Sequence, residues 1–350
     1  MPAEAPRETR RRLQVTGRAT LTVSIPSEWA KEMGLKPGDE VGLALQPDRT
    51  ILLAPRPGNP GTPLPPANLA LPDASQAEAL FRVLVAHYLL GYDTVRVAFP
   101  RGIPLETLRQ LKGRVREKLV GMEVVEETSQ SITFQNLVSH EELPLDRALH
   151  RMSVIVRSMH RDALQALRAG DANLAQEVVQ RDHEADKFCL LVIRQLKEAL
   201  RNVNFMRRAG IASSLDCMGY RVIVRSIERI GDHAENVARH VPALAGHESP
   251  LVEEVAALGE KCLKVFEETL EALSARDPQA ANKRISEAKA HQREASVLEE
   301  KLRRSRLPAP AQTALAAILE SIRRTAGISA DIGEIVLNMS ARAPGAPVAS

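Results

Sequence analysis

Apolar and polar residues alternate along residues 10–55 with the two-residue period of strands. Leu13-Gln14-Val15-Thr16 and Leu21-Thr22-Val23-Ser24-Ile25 lie on either side of Gly17 and stop at Pro26, where Ser27 can cap a short helix from Glu28 to Met33. Pro37-Gly38-Asp39 predicts a turn, and a second strand pair covers Val41 to Leu45 and Ile51 to Ala54. A β module of about 45 residues buries too little surface to be stable alone, and self-association is the usual remedy. Residues 55–72 carry seven prolines and two glycines, which predicts a semi-rigid linker. Beyond it the pattern predicts a helix from Gln76 to Leu90, a strand from Thr94 to Phe99, a helix from Pro104 to Leu119 and two strands within Met122 to Leu137, a small α/β layer.

From Glu141 to Ala341 the apolar period becomes helical, as in Leu145, Leu149, Met152, Ile155, Met159 and Ala163. Breaks at Gly170-Asp171, Asn202 to Gly210, Val241 to Pro250, Arg276-Asp277-Pro278 and Leu307 to Pro310 divide the block into six helices. Each is ~40 Å long at the helical rise, and short connections make neighbours antiparallel. Helices two and five both follow an Asp after a short turn (Asp171, Asp277). Helices three and six share Ser226-Ile227-Glu228-Arg229 and Ser321-Ile322-Arg323-Arg324, so a duplicated three-helix bundle is predicted. The expected fold is mainly α. Its divisions are a β-rich module at 8–56, a linker at 57–72, an α/β bridging segment at 73–139, helical repeats at 140–240 and 249–341, and a flexible tail at 342–350.

Composition narrows the function classes. The chain is 44% hydrophobic and 26% charged, which excludes compositional disorder, while 3% aromatic residues argue against an all-β barrel and against base-stacking platforms. Lys and Arg number 47 against 44 Asp and Glu, so any nucleic-acid site is a local patch. No apolar run approaches the ~20 residues of a membrane span. MPAEAPRETRRRLQV lacks an apolar signal region, and Cys189, Cys217 and Cys262 have no CxxC spacing, which together point to the cytoplasm.

The candidate chemistry lies on helices two and three. Glu228, Asp232 and Asn236 are spaced i, i+4, i+8 and form one column, about 180° from the stripe through Ile223, Ile227, Ile230 and Ala234. Asp182 and Asp186 form a second pair one turn apart. Two such pairs on adjacent helices make an oxygen-rich cation site; equally, they are a solvated face with Arg225 and Arg229 as ion-pair partners. His183 and His233 point elsewhere by spacing. Gly231 in mid-helix implies close approach of a neighbour. No nucleophile elbow, phosphate loop, HExxH or dinucleotide fingerprint occurs, so the chain reads as a non-enzyme.

The stretch Glu228-Arg229-Ile230-Gly231-Asp232-His233-Ala234 through Asn236 resembles the ERIGDHAxN signature of the PhoU family of phosphate-uptake regulators, and Asp182-xxx-Asp186 resembles its companion motif. The resemblance spans about residues 140–342. It implies metal ligation (Fe, Zn, Mn or Mg) by Asp182, Asp186, Glu228, Asp232 and Asn236 on the bundle surface. In the second repeat Arg323, Gly327 and Asp331 stand at the matching positions, with Glu287 and His291 on helix five, so a second cluster is not expected.

Thr16 to Pro26 followed by Trp29 to Val41 resembles SpoVT/AbrB-type domains, which implies an intertwined swapped-hairpin dimer presenting arginines to DNA. Arg10, Arg11, Arg12 and Arg18 are the candidate contacts; with Arg7, residues 1–20 hold five Arg against Glu4 and Glu8. The combined resemblance implies a phosphate-responsive, negative regulator of phosphate uptake acting on promoter DNA. Its expected partners are a phosphate transporter or phosphate-sensing kinase components, and a second copy of itself. The alternatives are a transporter accessory protein that does not bind DNA and a metal-dependent enzyme using the carboxylate column.

Overall fold

The computed structural model describes residues 8–45, 49–55, 64–71, 76–138, 142–247 and 249–341; the tail at 342–350 lies outside them. The chain divides into two compact units, residues 1–61 and 62–350. No helix among the described residues is long and apolar enough to cross a membrane.

In the first unit, β1 (Gln14–Thr16) and β2 (Thr20–Thr22) form an antiparallel hairpin with Val15 opposite Leu21. Its turn needs the positive φ of Gly17. The helix α1 (Ser27–Glu32) follows, then the antiparallel pair β3 (Val41–Leu45) and β4 (Ile51–Pro55). Among residues 8–43, 45 and 49–53 none is buried. Leu13, Val15, Leu21, Val23, Leu43, Leu45 and Ile51 are each at least 55% exposed, so its apolar positions have the strand period but nothing to pack on.

The second unit begins with a four-stranded sheet ordered β5-β6-β8-β7. Its elements are β5 (Ala67–Ala70), α2 (Ala77–Leu89), β6 (Thr94–Ala98), α3 (Leu105–Lys118), β7 (Met122–Glu127) and β8 (Ser131–Asn136). β5 corrects the linker expected at 57–72: four of those residues form an edge strand parallel to β6, with Ala67 buried. The prolines at 65 and 66 end just before it, where a missing N–H costs no ladder bond. Leu80, Leu84, Tyr88, Leu111, Val115 and Phe134 form the core between sheet and helices.

The helical part contains α4 (Leu145–Ala169), α5 (Ala172–Arg201), α6 (Val203–Arg208), α7 (Ser214–His240), α8 (Pro250–Ala275), α9 (Pro278–Arg303) and α10 (Ala309–Ser340). The short α6 occupies the break expected at 202–210, capped by the Asn202 carboxamide oxygen. The duplication is visible in its turns. α4 and α8 both end in a left-handed residue, Gly170 and Arg276, and the next residue caps the following helix. Asp171 accepts from the N–H groups of Asn173 and Leu174, and Asp277 from those of Gln279 and Ala280. One continuous core joins the two repeats.

Arg194 of α5 ties the α/β layer to the bundle. It is 2% exposed and donates to the carbonyls of Tyr88 (2.6 Å) and Tyr92 (3.0 Å) and to Asp93 Oδ1 (2.6 Å). Its guanidinium lies 4.8 Å from the Tyr88 ring centroid, a cation–π contact.

Candidate functional site

The site is built by helix packing. Val178, Ala185 and Val192 bury one face of α5, and Ile223, Ile227, Ile230 and Ala234 bury one face of α7. Gly231 marks where α7 comes closest: a Cβ there would stand 3.3 Å from Val156 Cγ2 and 3.8 Å from Asp182 Oδ1. The glycine therefore serves helix packing, and it also draws Asp182 in against the α7 backbone.

The carboxylates differ in exposure: Asp232 of the outward column is exposed and Glu228 half-buried, whereas Asp182 on α5 is enclosed. Asp182 is 9% exposed, and its Oδ1 has no hydrogen-bond partner among the described residues. The Glu228 side chain is 18% exposed and accepts from Arg225 Nη1 at 2.7 Å. Burial is the first reason that Asp182 is pushed up to about 6; Asp186, Glu235 and Asp232 add to it as like charges. Asp232 reaches solvent at the open edge, yet it too is pushed up to about 6, by the protein around it and then by Glu228, Asp186 and Glu235. Glu228 is raised by burial against the lowering effect of Arg225. The structure thus gathers Asp182, Asp186, Glu228 and Asp232 into one electrostatic group.

Three features were not visible along the chain. Glu235 joins the group, at i+7 from Glu228 on the same helical face, and is itself held by Arg239 at 2.6 Å. His183, expected to point away, has a ring nitrogen within 4.8 Å of carboxylate oxygens of Asp182 and Asp186. Lys118, at the end of α3, brings its Nζ to 2.5 Å from Asp186 Oδ2 and 2.9 Å from His183 Nδ1. His183 Nε2 faces Glu117 Oε1 at 3.2 Å. That pattern puts the ring proton on Nε2 and the lone pair on Nδ1, where the ammonium donates.

Asn236 lies apart from this group, its Nδ2 donating to Ser321 Oγ of α10 at 2.7 Å. Arg229, expected beside Asp232, instead lines a cavity of about 260 Å³ on the second repeat with Lys289, Gln292, Arg323, Gly327 and Asp331. At Gly327 a Cβ would stand 2.7 Å from Gln292 Nε2, so the position matching Asp232 has been given up to a neighbouring side chain. Glu287 is paired with Arg284 (2.7 Å), and His291 lies 3.5 Å from Glu294. Arg10, Arg11 and Arg12 are exposed ahead of β1, and Arg18 is exposed in the β1–β2 turn.

The bundle and its acidic face define the class: a duplicated three-helix protein with a carboxylate cluster on one repeat. Residues 149–241 match the PhoU domain, and residues 14–61 match the bacterial MazE antitoxin family, described as antidote-toxin recognition. The chain is 34% identical over 141 residues to a phosphate-specific transport system accessory protein PhoU homolog of Rhizobium meliloti, covering 39% of this chain and 57% of that protein. It is 32% identical over 123 residues to the Zymomonas mobilis homolog, covering 34% and 48%. The chain therefore spans about half the length of the curated relatives it matches. PhoU from Pseudomonas aeruginosa superposes with a TM-score of 0.50 and 26% identity, over 56% of this chain and 94% of that one. Residues 149–241 are thus PhoU-like and residues 14–61 MazE-like, two modules on one chain.

Proposed function

We propose that this protein is a phosphate-responsive, negative regulator of phosphate uptake, acting on promoter DNA through its first unit and on transporter or phosphate-sensing kinase components through its helical bundle. The observation that carries this reading is the union on one chain of a PhoU domain with a MazE-type module whose four candidate arginines are exposed. A role in phosphate transport is supported by the likeness to the phosphate-specific transport accessory proteins of Rhizobium meliloti and Zymomonas mobilis. The protein acts without catalysis, as a homodimer or higher assembly in the cytoplasm. Pairing of first units is favoured by their exposed apolar strands, which a second copy covers.

Asp182, Asp186, Glu228 and Asp232 would hold a metal ion such as Fe, Zn, Mn or Mg. The donor set fits, because a buried carboxylate oxygen without a hydrogen-bond partner inside a group of like charges calls for a cation. The ion would neutralise the face and fix α5 against α7. A transporter accessory role without DNA binding is the second reading, favoured by the accessory-protein names of the relatives.

Gel shifts against the promoter of a phosphate-uptake operon separate the two. The full chain should bind, and replacing Arg11, Arg12 and Arg18 by Ala should abolish binding and flatten its salt dependence, at ~0.9 of slope per lost phosphate contact. A wild-type protein indifferent to DNA at low salt hands the case to the accessory reading.

A further inference from the structure

The cluster already contains a cation, and it comes from another layer of the protein. Lys118 ends α3, in the α/β layer, while its partners lie on α5 of the bundle. One ammonium covers two donor atoms, Asp186 Oδ2 at 2.5 Å and His183 Nδ1 at 2.9 Å. Both residues belong, with Asp182, to a trio whose possible ligand atoms come within 4.8 Å of one another. The pair is largely shielded, with side-chain exposures of 23% and 26%, so water screens it poorly. Yet Asp182 Oδ1, a buried oxygen of the group, receives no hydrogen bond among the described residues. A single charge therefore sits at the rim while the inner oxygen stays unanswered.

We infer that Lys118 is a built-in competitor for the cation of the α5–α7 carboxylates, so that a divalent ion binds only as Lys118 withdraws and metal occupancy is coupled to the seating of α3 on the bundle. The inference rests on the metal reading above. A divalent ion that takes Asp186 Oδ2 or His183 Nδ1 as a ligand needs lone pairs that Lys118 holds, and two positive centres at such separation repel strongly in a shielded site. Withdrawal leaves the layer attached, because Arg194 anchors it two turns further along α5. It also frees His183 Nδ1 as a nitrogen donor, which shifts the preference of the site from Mg toward Mn, Fe or Zn. Lys118 is in this sense a specificity-setting residue: weak ions cannot displace it.

The test is a Mn²⁺ titration of full-length wild type, Lys118→Gln, Lys118→Arg and Lys118→Gln/Asp182→Asn, followed by electron paramagnetic resonance of free Mn²⁺. Lys118→Gln should bind at least about tenfold more tightly than wild type, Lys118→Arg should stay close to wild type, and the double variant should lose binding. Hydrogen exchange gives a second readout in wild type itself, independent of any variant's folding. Saturating Mn²⁺ should speed exchange over residues 105–118 in wild type and leave it unchanged in Lys118→Gln. Equal Mn²⁺ affinity in wild type and Lys118→Gln overturns the competition and spares the metal reading. Absence of Mn²⁺ binding in both overturns the two together.

Discussion

Replacing Arg194 by Met keeps the apolar reach of the side chain and removes its donors. In the native protein those donors serve the carbonyls of Tyr88, Tyr92 and, at 3.4 Å, Gly91, together with the Asp93 carboxylate. The losses are unequal. Tyr88 O keeps the turn bond from Gly91 N at 3.0 Å, and Asp93 is 51% exposed and regains water. The carbonyls of Gly91 and Tyr92 are left worst off, at about 1–3 kcal/mol for each buried group without a partner. The Tyr88 cation–π contact adds roughly 1–2 kcal/mol in a desolvated setting. Against this, burying the guanidinium was costly from the start, which returns part of the loss when it goes. The net expectation is a destabilisation of about 2–4 kcal/mol. Urea unfolding of the full chain followed by far-ultraviolet circular dichroism measures it, and hydrogen exchange locates it. Faster exchange should appear in α2, β6 and β8, with α8 to α10 little changed. A loss under about 1 kcal/mol would refute the idea that Arg194 carries the interface, because packing alone would then suffice.

Light scattering should find the full chain at least dimeric at micromolar concentration, and removing residues 1–56 should weaken that assembly; a monomeric full chain sinks the self-association reading. His160 is buried on α4 with Nε2 2.9 Å from Ile230 O, and burial holds it down at about 4, below its ordinary 6.5. A depressed histidine contributes stability that is present above pH 6.5 and lost as pH falls through 4, up to ~3 kcal/mol for a shift of that size. The stability gap between wild type and His160→Gln should therefore narrow as pH falls from 6.5 to 4, and a constant gap would refute the linkage.

The helical half was legible because its signals are local. The 3.6-residue period, the turns at Gly170-Asp171 and Arg276-Asp277 and the shared Ser-Ile step all lie within a few residues of the feature they specify. β5 was not legible, since a four-residue strand between prolines takes its identity from β6, more than twenty residues away. The acidic residues were found by spacing, but their environment was not. Helical phase placed the α7 column facing outward, whereas burial of Asp182 depends on the close approach of α7 at Gly231, and the arrival of Lys118 on the α/β layer. Arg194 carried no signal at all in sequence, where it is one arginine among many.

Among its described residues the first unit has strands and turns but no buried side chain: Val15, Leu43, Leu45 and Ile51 are all exposed. Whatever covers those side chains supplies nearly all the hydrophobic stabilisation this unit will have, so its folded fraction obeys mass action in that covering surface. Cellular dosage then becomes an input to the protein. Below a threshold copy number the first unit is a loose chain open to proteolysis. Above it the unit is a folded module, and expression level alone can set which of the two the cell contains.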